Sequence, residues 1–248
     1  MEQYQNLIYG IRPLMEAIQE GKTIDKVLIQ KGLKGDLFKE LFYTVRQSKI
    51  PFQYVPVEKL NRLTRGNHQG IIAFLSAIEY HNIFDLVPTF FEEGRTPLLL
   101  MLDKISDVRN IGAIARTAEC AGVDAIIIPL KGGAQLNEDA VKSSAGALHK
   151  IPVCRHSNLV EVIRYLQDSG IELCAVTEKA PDPYFRKEFI NPLCFLMGNE
   201  YEGIAYDYLR LCDSSVAIPM VGTVASLNVS VATGIVLFEV VKQRNFSS

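Results

Sequence analysis

Ile218-Pro219-Met220-Val221-Gly222-Thr223-Val224-Ala225-Ser226-Leu227-Asn228-Val229-Ser230-Val231-Ala232 is the stretch whose reading decides the fold. An apolar strand end gives way to small residues, and an amide at Asn228 then opens a segment that stays helix-compatible to Arg244. Val229, Val231, Ala232, Ile235, Val236, Leu237, Val240 and Val241 put apolar groups on nearly every face of that helix. A surface helix needs only one such stripe, so the segment is expected to be buried, partly against another copy of the chain. Ser226 and Asn228 are the candidate N-caps, and Gly222, Thr223, Ala225 and Ser226 leave the backbone before them uncrowded enough to face a ligand. A plain buried C-terminal helix with a polar cap accounts for the same residues.

Upstream, apolar strands at Leu98 to Leu102, Ala125 to Ile128, Glu172 to Val176, Leu193 to Met197 and Ser215 to Ile218 alternate with helical segments. Alternation of this kind predicts a mainly parallel sheet with helices on both faces and ligands at the carboxyl ends of the strands. Three of those strand ends carry polar or small residues. After Leu102 comes Asp103-Lys104-Ile105-Ser106-Asp107-Val108-Arg109-Asn110, then a helix of small residues interrupted by Arg116. A cation expected to be buried or half-buried there needs an anion, which is either a structural carboxylate or a substrate. After Leu196 comes Met197-Gly198-Asn199-Glu200-Tyr201-Glu202-Gly203-Ile204, where Gly198 admits a close approach. The third strand end is the opening stretch. Neither G-x-G-x-x-G after a strand nor G-x-x-x-x-G-K-[ST] occurs, which argues against a standard dinucleotide or P-loop site.

The first third reads as a small α/β unit of its own, residues 1–78. A helix begins at Gly10-Ile11-Arg12-Pro13, strands are expected at Val27 to Gln30, Phe52 to Val55 and Ile71 to Leu75, and helices at about Asp36 to Gln47 and Glu58 to Leu63. Its loop Thr64-Arg65-Gly66-Asn67-His68-Gln69-Gly70 is either a tight turn or a place to hold a nucleotide. Residues 79–95 are expected to link this unit to a second domain over 96–248, with a helical turn or two on the way.

Composition narrows the class. The 248 residues are 48% hydrophobic and 22% charged, as in a globular protein with room for a real core. No apolar run approaches the roughly 18 to 20 residues of a membrane span, and the start lacks a basic segment followed by an apolar one, so the expected location is the cytoplasm. The five cysteines are scattered without CxxC spacing and the four histidines form no metal-ligating pattern, so reduced thiols and no metal site are expected. Net charge is −2 but unevenly spread: residues 1–78 hold eleven Lys/Arg against seven Asp/Glu, a balance of +4, and the remainder fifteen against twenty-one, −6. The basic third fits phosphate contacts, although a solvated face looks the same.

These motifs carry a resemblance. NxGAIxRTA at Asn110 to Ala118, GNExxGI at Gly198 to Ile204 with IPM at Ile218 to Met220, and SLNVSVA at Ser226 to Ala232 resemble, in order, the three motifs of the SpoU (TrmH-like) branch of the SPOUT RNA methyltransferases. IYGIRPLMEAI and NHQGIIA in the first third resemble the L30e-like substrate-binding domain of bacterial 23S rRNA guanosine 2′-O-methyltransferases of the RlmB type. The resemblance implies an α/β fold with a trefoil-knotted C-terminal domain, S-adenosylmethionine as cofactor, and an active site completed across a homodimer. It implies cofactor contacts at Met197, Gly198, Ile218, Gly222 and Leu227, and active-site roles for Asn110, Arg116, Glu200, Ser226 and Asn228. Arg12, Arg65, Asn67, His68 and Gln69 are the expected RNA contacts, and the expected substrate is 23S rRNA or a large-subunit precursor. A methyltransferase acting on tRNA or another rRNA site, and a non-catalytic RNA-binding protein, are the alternatives.

Overall fold

The structure, a computed structural model, describes residues 7–134, 136–199 and 201–246, and divides between Ile78 and Glu79 into two units. In the first, β1 (Leu7–Tyr9) leads into α1 (Ile11–Gln19), followed by β2 (Ile24–Gln30), α2 (Asp36–Gln47), β3 (Phe52–Val55), α3 (Val57–Leu63) and β4 (Ile71–Leu75). The sheet order is β1-β4-β2-β3, with β2 parallel to β3 and antiparallel to β4. Alternation along β2 sets its two faces: Val27 and Ile29 join Leu14, Phe38, Leu41 and Val45 of α1 and α2, while Leu28 packs with Val55, Leu60 and Ile72 on the other side. β1 was not expected, because three residues are too few to show an alternation.

The second unit holds β5 (Tyr80–His81), α4 (Ile83–Glu92), β6 (Leu98–Leu102), α5 (Val108–Cys120), β7 (Ala125–Pro129), α6 (Glu138–Ser143), β8 (Val153–His156), α7 (Leu159–Asp168), β9 (Glu172–Val176), β10 (Leu193–Met197), α8 (Tyr206–Leu209), β11 (Ser214–Val216) and α9 (Val229–Phe246). All seven strands are parallel, in the order β11-β9-β10-β6-β7-β8-β5. Every residue of β6 and β10 is buried, as their uninterrupted apolar sequences require of central strands covered on both faces. One face packs on α4 and α7 through Ile83, Val87, Phe90, Val162, Ile163 and Leu166. On α5 and α9, which pack on each other, Ile114, Ala115, Ala118, Val236, Leu237 and Val240 are buried. No helix among the described residues is long and apolar enough to cross a membrane.

Two expectations change here. Residues 79–95, read as a linker, carry β5 and the ten-residue α4, both built into the second unit. Pro88 hid that helix by removing the N–H that would bond Phe84, and the hydroxyl of Tyr165 supplies the missing donor to the Phe84 carbonyl at 3.2 Å. The last strand, expected over Ser215 to Ile218, is Ser214–Val216, so Ile218 belongs to the irregular segment that runs to α9.

Candidate active site

A cleft of about 410 Å³ opens at the carboxyl ends of β9 and β10. It shares β10 with the place where the strand order reverses, between β6 and β10, and like the ligand sites of open parallel sheets it lies at the carboxyl ends of its strands. Val176, Met197, Ile204, Ile218, Leu227 and Val229 give it apolar walls, and Gly198, Asn199, Gly203, Ala225, Ser226 and Asn228 line it between them. Glu178, Lys179 and Glu202 are exposed at its rim. The volume and lining suit a nucleoside-sized ligand.

The wall at Gly198 is formed by the chain itself. A Cβ there would lie 2.1 Å from the carbonyl carbon of Gly203 and 2.3 Å from the nitrogen of Ile204, both backbone atoms that cannot swing away. Asn199 and Gly203 exchange two backbone hydrogen bonds at 3.2 and 3.1 Å, and Asn199 Oδ1 accepts from the N–H groups of Tyr201 and Glu202 at 2.9 and 2.7 Å. Asp103 braces this loop from beneath. Fully buried at the end of β6, it donates its N–H to the carbonyl of Met197 and accepts the N–H of Ala205 on Oδ2 at 2.8 Å, leaving Oδ1 without a partner among the described residues. Burial, and then the Asp103 charge, push the nearby Tyr208 hydroxyl pKa up.

At the cleft's edge α9 meets α5. Asn228 caps α9, its Oδ1 accepting from the N–H of Ser230 at 2.9 Å, and its Nδ2 donates to Oδ1 of Asn110 on α5 at 3.1 Å. This bond joins the first and third motif segments, 118 residues apart in sequence.

Residues 97–238 match the SpoU rRNA methylase family, and residues 7–81 match the RNA 2′-O ribose methyltransferase substrate-binding family. The chain belongs to the SpoU family. A Staphylococcus saprophyticus protein named for the TrmH family of tRNA/rRNA methyltransferases is 35% identical over 240 residues, 97% of this chain and 96% of its own. Bacillus subtilis YacO, named in the same way, is 30% identical over 245 residues, 99% and 98% of the two chains. The SpoU methyltransferase AviRb of Streptomyces viridochromogenes, solved in complex with the cofactor AdoMet, matches with a TM-score of 0.61 at 26% identity over 96% of this chain and 90% of that one. The parallel-sheet α/β architecture and the separate N-terminal substrate-binding part are those of SpoU methyltransferases.

Against that family pattern, the structure gathers Met197, Gly198, Ile218, Ser226, Leu227 and Asn228 around one cleft, with Asn110 bonded at its edge. Gly222 stands apart, exposed in the loop between Ile218 and α9 and outside the cleft lining. Arg116 is exposed, which corrects the expectation of a buried or half-buried cation. The small residues of α5 form its packed face, and Arg116 falls on the outer stripe with Arg109 and Cys120, at helical spacing. Glu200 lies outside the described residues. Sequence reading missed Asp103 and Asn199 as loop braces and Thr177, Glu178 and Lys179 as lining. A carboxylate directly after the five apolar residues of β6 was the one signal available for Asp103.

In the first unit, Thr64–Gly70 forms an open polar hollow with Gln30 and Asn61. Two of its expected RNA contacts are engaged with the chain. Gln69 Oε1 accepts the N–H of Ile11, and His68 Nδ1 accepts the N–H of Gly70 at 3.0 Å, which leaves its Nε2–H to donate to Asn61 Oδ1 at 2.8 Å. Arg65 and Asn67 are exposed in the same hollow; Arg12 is exposed on α1 and is not part of the lining. Among the described residues no cluster of His, Cys, Asp and Glu could hold a metal ion.

Proposed function

We propose that this chain is a cytoplasmic methyltransferase that uses S-adenosylmethionine to methylate a ribose 2′-hydroxyl of RNA, that of a guanosine in 23S rRNA or a large-subunit precursor. The observation that carries this reading is the cleft at the carboxyl ends of β9 and β10, bordered by the Asn110–Asn228 bond. Apolar walls interrupted by the small and amide residues Gly198, Ser226 and Asn228 fit a nucleoside and a thioether-like chain, and the acidic rim at Glu178 and Glu202 favours a cationic ligand. Met197, Gly198, Ile218 and Leu227 would hold the cofactor. When bound, it supplies an electrophilic methyl group on a sulfonium.

The chain's own task is to deliver the hydroxyl in line and manage its proton. A guanidinium stays protonated at neutral pH, so Arg116 stabilises the developing alkoxide or the neighbouring phosphate rather than accepting the proton. The proton passes to a phosphate oxygen, water or a neighbouring side chain. Asn228, Asn110 and Ser226 orient the ribose, and Glu200 holds a loop or the arginine by a charge-assisted hydrogen bond.

The same proposal includes a homodimer and a trefoil knot around the cleft. In the single chain Arg116 has solvent around it, and Val221, Val224, Val231 and Phe238 expose apolar surface, as expected of a site finished by a second copy. Residues 1–78 act as the L30e-like RNA-binding domain, with Arg65 and Asn67 as the side chains free to meet RNA and Arg12 beside them in the proposal. The names of the Staphylococcus and Bacillus relatives give tRNA beside rRNA, and a second reading takes tRNA as the substrate.

Incubation with radiolabelled S-adenosylmethionine and separate unmodified 23S rRNA, 16S rRNA and tRNA pools tests both. Label in a single 2′-O-methylguanosine of 23S rRNA is the expected result. Label in tRNA selects the second reading, and no label in any pool overturns the enzymatic one.

A further inference from the structure

Tyr201 has no reason in folding to be where it is. The residue is 93% exposed although it lines the cleft, and among the described residues no other large aromatic is so open to solvent. Nor is it carried on a slack loop. Asn199 Oδ1 holds the N–H groups of Tyr201 and Glu202, and the backbone bonds between Asn199 and Gly203 close the turn around them. A tyrosine has only two side-chain torsions to lose on binding and offers a flat apolar face, the combination that recognition surfaces use. Single-stranded or unpaired RNA is bound by stacking of bases on such rings.

Resting on the methyltransferase reading above, we propose that Tyr201 is the platform on which a nucleobase of the RNA substrate stacks as its ribose enters the cleft. Charge selects the part of the nucleotide. Glu178 and Glu202 line the same cleft and outnumber Lys179 among its described exposed charges, so a phosphate is disfavoured there while the neutral face of a base is not. Position selects the source. Met197 is buried and Ile218 half-buried on the cleft wall, whereas Tyr201 on the same cleft is almost wholly exposed, where a large ligand arrives from solvent.

The chain contains no tryptophan, so Tyr201→Trp installs a single reporter. Its emission is expected to be quenched on titration with unmodified 23S rRNA or tRNA transcripts and to stay unchanged with S-adenosylmethionine alone. This binding readout does not depend on turnover. In parallel, Tyr201→Ala is expected to raise the KM for RNA about tenfold, the loss of one base stack, with the KM for S-adenosylmethionine held. Because no phosphate contact is removed, the slope of log RNA affinity against log salt stays the same. Tyr201→Phe, which keeps the ring, restores the RNA KM. Quenching by the cofactor alone, an unchanged RNA KM in Tyr201→Ala, or a loss shared equally by both substrates overturns the proposal. A wild-type chain that methylates no RNA overturns the methyltransferase reading instead, while quenching of the tryptophan by RNA still decides the stacking.

Discussion

Two short glycine-bearing loops in this molecule, 64–70 and 198–204, close on themselves by similar means and meet different surroundings. In the first, His68 and Gln69 turn their side chains inward onto the backbone of Gly70 and Ile11, and Arg65 and Asn67 remain outside. In the second, Asn199 does the inward work and Tyr201 remains outside. The difference is in what presses on the glycines. Gly66 faces the ring of Tyr9, a side chain 42% exposed and able to move, whereas Gly198 faces the backbone of Gly203 and Ile204. One loop rests on something that yields and the other on something that does not.

Substituting each glycine by alanine breaks the comparison most sharply. Gly198→Ala forces a Cβ into backbone and is expected to destabilise the second unit by about 3 kcal/mol, lowering Tm by about 6 to 12 °C, with binding of S-adenosylmethionine measured by calorimetry lost. Gly66→Ala displaces the Tyr9 ring and is expected to cost about 1 kcal/mol with cofactor binding intact. Equal losses from the two substitutions would remove the distinction.

Alkaline pH separates the units next. All five cysteines lie in the second unit, where burial pushes the thiols of Cys154, Cys174 and Cys212 up to about 12, 11 and 12, and that of Cys194 up further. A thiol whose pKa is raised by folding contributes stability that is complete below the unfolded value of about 8.5 to 9 and disappears as pH rises toward the folded value. The second unit should therefore weaken between about pH 9 and 11. Lys26 in the first unit has the opposite sign: burial, and then Lys59, lower its pKa, so protonation opposes folding and rising pH relieves it. Hydrogen exchange followed residue by residue is expected to show the sheet of the second unit losing protection above pH 9 while that of the first holds. In the native protein at pH 8 a thiol reagent should react first with the exposed Cys120.

Asn228 offers a smaller effect that divides structure from chemistry. Asn228→Ala removes both the cap on Ser230 and the bond to Asn110, and is expected to cost about 1 kcal/mol of stability and at least tenfold in kcat for methyl transfer. Asn228→Asp keeps an oxygen for the cap but has no donor for Asn110 Oδ1, so stability should recover and turnover should not. Recovery of both by the aspartate would make Asn228 a cap and nothing more.

How much of this was legible depends on where a residue's signal resides. Leu98–Leu102 and Leu193–Met197 match the strands read from sequence to the residue, because central parallel strands are apolar throughout and here end at Asp103 and Gly198; Glu172–Val176 matches as well, its apolar run opened by a half-buried glutamate. β8 escaped because Arg155 and His156 interrupt its apolar run, and Arg155 lies over the Tyr80 ring in a cation–π pair that no local pattern announces. The motif residues around the cleft could be named, but not the direction of Arg116, since a run of small residues does not say which face of a helix packs. Asp103 and Asn199 act through backbone groups of other segments or of their own turn, and sequence alone does not supply those partners.

The finest test of the two loops lies at Gln69, a non-glycine residue with φ +50° that also bonds the N–H of Ile11 at the start of α1. If the loop tolerates that left-handed backbone because the Ile11 bond repays it, the two contributions can be separated by a pair of substitutions. Gln69→Ala and Gln69→Gly both remove the bond, worth about 1 kcal/mol. Only glycine also relieves the φ strain, so it should recover about 0.5 to 1 kcal/mol relative to alanine. Chemical denaturation of the full chain, followed by exchange protection at α1, is expected to rank wild type above Gln69→Gly and Gln69→Gly above Gln69→Ala. Alanine matching or exceeding glycine would mean that the turn is not strained at position 69, and the inward-facing side chain would then be needed only as a cap.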